Sequence, residues 1–130
     1  MKITILLVDD SPTFMTAVNQ YLGTFPTVQV VGQAHNGKEA LALAVELQPD
    51  LVLLDISMAG MNGLEVARRL QTWPQPPSII LVTFNDSSAY RAEALDLDVL
   101  GFVGKSRLTI ELPYLIETLI SSKLEAGESC

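Results

Sequence analysis

Five residues of this chain could do chemistry together: the adjacent acids Asp9 and Asp10, the acid Asp55, the hydroxyl of Thr83 and the ammonium of Lys105. Each lies at or just past the end of a short apolar run. Three carboxylates gathered without a cation repel one another, and at least one pKa must rise. A small hard dication resolves that repulsion. Mg²⁺ favours oxygen ligands, keeps several waters and commonly joins carboxylates to a phosphoryl group. An Asp carboxylate can also act as a nucleophile and form an aspartyl phosphate. The resulting dianion would draw on Mg²⁺, the Lys105 ammonium, the Thr83 hydroxyl and nearby backbone N–H groups.

The elements that must bring these residues together are legible in the pattern. The apolar runs Ile3–Val8, Val28–Ala34, Leu51–Leu54, Ser78–Val82 and Val99–Val103 are short, rich in Val, Ile and Leu, and bounded by Asp, Gly, Pro or Ser. They read as strands. Val28–Ala34, with Gln29 and Gln33 interleaved, reads as a sheet edge. Helical segments alternate with them. Ser11, Asn36, Asn62 and Asp86 are N-cap candidates, and Pro12 suits a first turn. Phe14, Val18, Leu22 and Phe25 recur at helical spacing; the last helix carries Leu108, Leu112, Leu115 and Leu119 and fades after Lys123. Strand and helix alternating in this way predict an α/β, flavodoxin-like three-layer sandwich. Its five parallel strands take the order 2-1-3-4-5, with five helices. The domain covers 1–123, and 124–130 is expected to be a flexible tail. Sites in such sheets lie beyond the carboxyl ends of the strands, where the five residues fall.

Composition narrows the function classes. A chain of 130 residues, 48% hydrophobic and 18% charged, can bury one ordinary core. A formal net charge of -7 argues against nucleic acid as a direct partner. The single Cys130 cannot form an internal disulfide and reads as an exposed thiol, and Ile3–Val8 is too short for a membrane span. A cytoplasmic protein with no membrane partner is expected.

Ile5-Leu6-Leu7-Val8-Asp9-Asp10-Ser11 resembles the acidic opening of response-regulator receiver domains. So do Pro49-Asp50-Leu51-Val52-Leu53-Leu54-Asp55-Ile56-Ser57-Met58, Gly60-Met61-Asn62-Gly63, Ile80-Leu81-Val82-Thr83 and Gly101-Phe102-Val103-Gly104-Lys105. The motifs keep the family's order from Ile3 to Leu119, and the last, with Ser106, is similar to receivers of DNA-binding regulators. The resemblance implies that Asp55 is the phosphoacceptor of a two-component phosphorelay and Lys105 the partner of its phosphoryl oxygens. It makes Asp10 a direct magnesium ligand, Asp9 one acting through metal-bound water, and Ser57 a donor of its backbone carbonyl. Thr83 becomes the switch hydroxyl and Phe102 the aromatic switch position. The implied partners are a sensor histidine kinase or phosphotransfer protein, an effector protein, and a second copy on phosphorylation. Catalysis is limited to phosphotransfer to Asp55 and its hydrolysis.

Three positions depart from the family pattern. Ala59 and Ser106 stand where proline is frequent, and a cis bond before Ser106 would cost about 2.5–4 kcal/mol. Phe84 follows the switch threonine where many members carry a small residue. A ring there is expected to narrow access to Asp55, so that Phe84→Ala speeds turnover of the acyl phosphate.

Each residue also has a plainer reading. Asp9-Asp10 also suits a strand stop and helix cap, Thr83 an ordinary strand position, and Lys105 a solvated surface. Phe102 reads as buried core whether or not it moves. His35 reads as an exposed loop histidine, Trp73 as loop packing, and Ile116 with Ile120 as a partner surface. Two other functions share these residues: a receiver-fold binding module that works without phosphorylation, and a phosphohydrolase of the haloacid-dehalogenase type. The latter needs a second aspartate where this chain has Ser57.

Overall fold

A computed structural model describes residues 2–58, 60–84 and 88–128. The expected cap Asp86, the departure at Ala59 and the terminal Cys130 lie outside the described residues. β1 (Ile3–Val8), β2 (Val28–Ala34), β3 (Leu51–Asp55), β4 (Ser78–Thr83) and β5 (Gly101–Gly104) form one parallel sheet of order β2-β1-β3-β4-β5. Between and after them run α1 (Pro12–Leu22), α2 (Gly37–Leu47), α3 (Gly63–Leu70), α4 (Ser88–Leu95) and α5 (Leu108–Glu128). β5 starts at Gly101 rather than Val99, because the Val99 N–H turns back onto the Leu97 carbonyl at 3.0 Å instead of joining the ladder.

Strand side chains alternate between faces, so each central strand feeds two cores. Ile5, Leu7, Leu53 and Val82 pack with Met15 and Val18 of α1 and Leu112 and Ile116 of α5. Leu6, Val8, Leu54 and Leu81 pack with Ala40 and Ala44 of α2 and Leu64 and Ala67 of α3. Burial on both faces accounts for the unbroken apolar runs. β2 takes an edge and leaves Gln29 and Gln33 exposed. Its pairing with β1 slips between Ile5 and Leu6, so Val30 and Gly32 face successive β1 residues.

The helix starts follow their caps. Ser11 Oγ accepts the Phe14 N–H at 3.3 Å, Asn36 Oδ1 the Glu39 N–H at 2.8 Å, and Asn62 Oδ1 the Glu65 N–H at 3.0 Å. α5 breaks its own ladder, since Pro113 has no N–H for the Thr109 carbonyl. Tyr21 of α1 donates its hydroxyl to that oxygen at 3.2 Å.

Two expectations do not hold. Ile116 is buried and Ile120 half-buried against the α1–α5 core, so they are not a partner surface; a sheet face needs both to close it. Phe102 is half-buried rather than core, because its strand β5 is the sheet edge and its ring only borders the core. α5 continues as helix past Lys123 to Glu128. No helix among the described residues is long and apolar enough to cross a membrane.

Candidate functional site

Parallel strands end together, and their carboxyl ends make one rim. β1 runs out into Asp9 and Asp10, β3 ends on Asp55, β4 ends on Thr83, and Lys105 opens a 3-10 turn (Lys105–Arg107) straight after β5. The peptide bond from Lys105 to Ser106 is trans, as are all described peptides. Asp9, Asp55 and Thr83 are almost fully buried, and Lys105 is 9% exposed. Asp10 faces solvent.

The side chains converge. One carboxylate oxygen each from Asp9, Asp10 and Asp55 lies within 4.8 Å of the others. Lys105 Nζ stands 2.7 Å from Asp9 Oδ2 and 3.6 Å from Asp55 Oδ2. Local backbone holds the acids: Asp9 Oδ1 accepts the Ser11 N–H at 2.8 Å, and Asp55 Oδ1 accepts the Ser57 N–H at 3.2 Å. The contact from Lys105 to Asp9 Oδ2 is an ion pair without the direction of a hydrogen bond, so that buried oxygen has no hydrogen-bond donor.

One ammonium does not balance two buried acids with a third at the surface beside them. Burial pushes the Asp55 carboxyl up, and the Asp9 charge pushes it further, from 3.8 to about 6. Lys105 and the Ser57 N–H offset part of this, while Asp10 adds to it. Close hard oxygens, an acceptor oxygen lacking a donor and a repulsion visible in a raised pKa together suit a divalent cation. Asp10, open to water, leaves room for a partly hydrated ion.

Thr83 lies beside Gly104 in the β4–β5 register, and Phe102 beside Leu81. The Arg91 guanidinium stands 4.8 Å from the centre of the Phe102 ring. Phe84 is 76% exposed, with its ring centre 6.4 Å from that of Phe14. The Lys105 ammonium sits over both rings, at 4.1 Å from Phe14 and 4.2 Å from Phe84. Phe14 is the residue that sequence reasoning missed. Its helical spacing reads as core, yet it stands one position off the buried stripe of Met15, Val18 and Leu22. His35 is exposed and Trp73 is half-buried in its loop, as expected.

Residues 5–117 match the family described as response regulator receiver domain. The nitrate/nitrite response regulator protein NarL of Escherichia coli K12 is 50% identical over 68 residues, covering 52% of this chain and 32% of the relative. Response regulator protein VraR of Staphylococcus aureus is 38% identical over 108 residues, covering 82% of this chain and 51% of the relative. The chain thus spans about a third and about a half of these two curated relatives. Among solved structures, a DNA-binding response regulator of the LuxR family from Staphylococcus aureus superimposes with a TM-score of 0.83 at 28% identity, covering 90% of this chain and 98% of that one. That likeness overturns the expectation that excluded nucleic acid on charge. Net charge describes the field of one unit and does not limit what a regulator built on that unit binds.

Proposed function

The chain belongs to the response-regulator receiver domain family, and from that premise we propose that Asp55 takes up a phosphoryl group with Mg²⁺ held by Asp9, Asp10, Asp55 and the Ser57 backbone carbonyl. Receiver domains of two-component systems are phosphorylation switches, and this chain is one of them. The observation that supports the assignment is the convergence of three carboxylates and one ammonium at the ends of β1, β3 and β5.

In the proposed reaction an ionised Asp55 oxygen attacks the phosphorus of a phosphodonor. A new O–P bond forms as the bond from phosphorus to the donor breaks, and the donor leaves with that electron pair. Bound Mg²⁺ supplies charge neutralisation for the acids and the incoming phosphoryl oxygens. Lys105 turns from Asp9 towards the phosphoryl group. Thr83, at the end of β4, offers its hydroxyl to the same group and frees the space into which the Phe102 ring turns. Release of Phe102 from Arg91 then reshapes the surface of α4, β5 and α5. The residues act by position and charge, so self-catalysed transfer and hydrolysis need no further acid or base.

Acetyl phosphate with Mg²⁺ should label the peptide carrying Asp55 as an acid-stable, hydroxylamine-labile adduct, and Asp55→Asn should abolish it. Label persisting on that peptide in the variant would refute the assignment.

A further inference from the structure

In this structure Lys105 directs its charge at three neighbours: the faces of Phe14 and Phe84, at 4.1 and 4.2 Å, and Asp9 Oδ2 at 2.7 Å. Asp55 Oδ2, at 3.6 Å, lies beyond hydrogen-bond reach. A cation over an aromatic face is attracted to the ring quadrupole, more strongly where water is excluded, and Lys105 is 9% exposed. The same contacts account for Phe84, an apolar ring that is 76% exposed yet leans on a cation.

The neighbours differ in how freely they can leave. Asp9 is pinned through its other oxygen by the Ser11 N–H at 2.8 Å. Phe14 rides on α1 and is half-buried against the α1–α5 core. Phe84 follows the last residue of β4 and has only the second ring and the ammonium among its described contacts. We propose that Phe14 and Phe84 form a two-ring cage that rests Lys105 on Asp9, and that departure of Phe84 is the step that frees Lys105 for a phosphoryl group on Asp55. The proposal rests on the phosphoacceptor reading and adds a positioning pair to it. A contact present at rest and surrendered in the transition state raises the barrier, so the cage slows phosphorylation. It differs from simple obstruction by the ring, because it requires a π face rather than bulk.

The test compares wild type with Phe84→Leu, Phe14→Leu, the double leucine variant and Phe84→Tyr. Leucine keeps apolar bulk and removes the ring; tyrosine keeps the ring. NMR of the Lys105 side chain in metal-free protein reads the cage directly, without phosphorylation. Its Hε protons should be shifted upfield by the rings in wild type and in Phe84→Tyr, and should return towards ordinary lysine values in the leucine variants. Beryllofluoride with Mg²⁺ should remove the upfield shift in wild type. Phosphorylation by acetyl phosphate at saturating donor should run about fivefold faster in the double leucine variant and at the wild-type rate in Phe84→Tyr. Equal Lys105 shifts in wild type and the double variant would overturn the proposal, as would equal phosphorylation rates. Ring-shifted Lys105 signals in a protein that forms no acyl phosphate at Asp55 would instead overturn the phosphoacceptor reading and the cage's part in it, leaving only the resting contact.

Discussion

Gly63, the first residue of α3, stands directly against the backbone of Asp55: a Cβ at Gly63 would collide with the Asp55 carbonyl oxygen. The Gly63 N–H also donates to the Ile56 carbonyl at 3.0 Å. The helix after the site is thus docked onto the chain that carries the candidate acceptor. In an ordinary helix, Gly→Ala is stabilising. Here the collision is with backbone, which cannot swing aside, so Gly63→Ala should destabilise the fold by about 2–3 kcal/mol. Urea unfolding measures this, and Mg²⁺ affinity should fall with it. A variant as stable as wild type would show that α3 can move off Asp55 freely.

The raised pKa of Asp55 has a consequence for stability. The unfolded carboxyl titrates near 3.8 and the folded one at about 6. The folded state therefore holds this proton more tightly. The stabilisation from protonation is full below about pH 4 and is lost as pH rises through about 6. Asp55→Asn removes the charge and should stabilise metal-free protein at pH 7.5 by about 1–2 kcal/mol, after discounting the full shift for solvent screening. The gain should shrink on acidification and be nearly gone at pH 4. Mg²⁺ should narrow the gap at pH 7.5 by stabilising wild type more than the variant. Thermal melts across pH with and without Mg²⁺ decide it, and a difference independent of pH would contradict the electrostatic account.

Tyr21 and Pro113 are linked through the carbonyl that the proline leaves without a helical donor. Tyr21→Phe should cost about 0.5 kcal/mol, the low end of the net worth of a hydrogen bond, since this one is exposed. In a Pro113→Ala background the backbone N–H returns and takes up the Thr109 carbonyl, so the same change should cost less. A double-mutant cycle by chemical denaturation reads the coupling. Equal costs in both backgrounds would separate the tyrosine from the proline.

Much of this was legible in the chain itself. The order of strands and helices followed from short apolar runs alternating with 3.6-residue periodicity, and Ser11, Asn36 and Asn62 cap helices as their types suggest. These signals are local: caps and periodicity act within a few residues. Asp9, Asp10, Asp55, Thr83 and Lys105 could be placed on one rim because parallel topology brings strand ends together however distant they are in sequence.

Side-chain partners across elements were not legible. Nothing near Phe14 signals that its ring faces Lys105, since that contact depends on how α1 lies over β1 and on where β5 ends. Ile116 reads as spare surface, yet the α1–α5 core closes over it, and Phe102 reads as core, yet the edge position of β5 leaves it half-buried. The preference of Lys105 for Asp9 over Asp55 is likewise a matter of about an ångström between two buried oxygens. Sequence alone determined which groups meet, because backbone periodicity and strand order set the rim. Only the tertiary structure decided which of them touch at rest, because packing and desolvation act at distances that no pattern of residue types encodes.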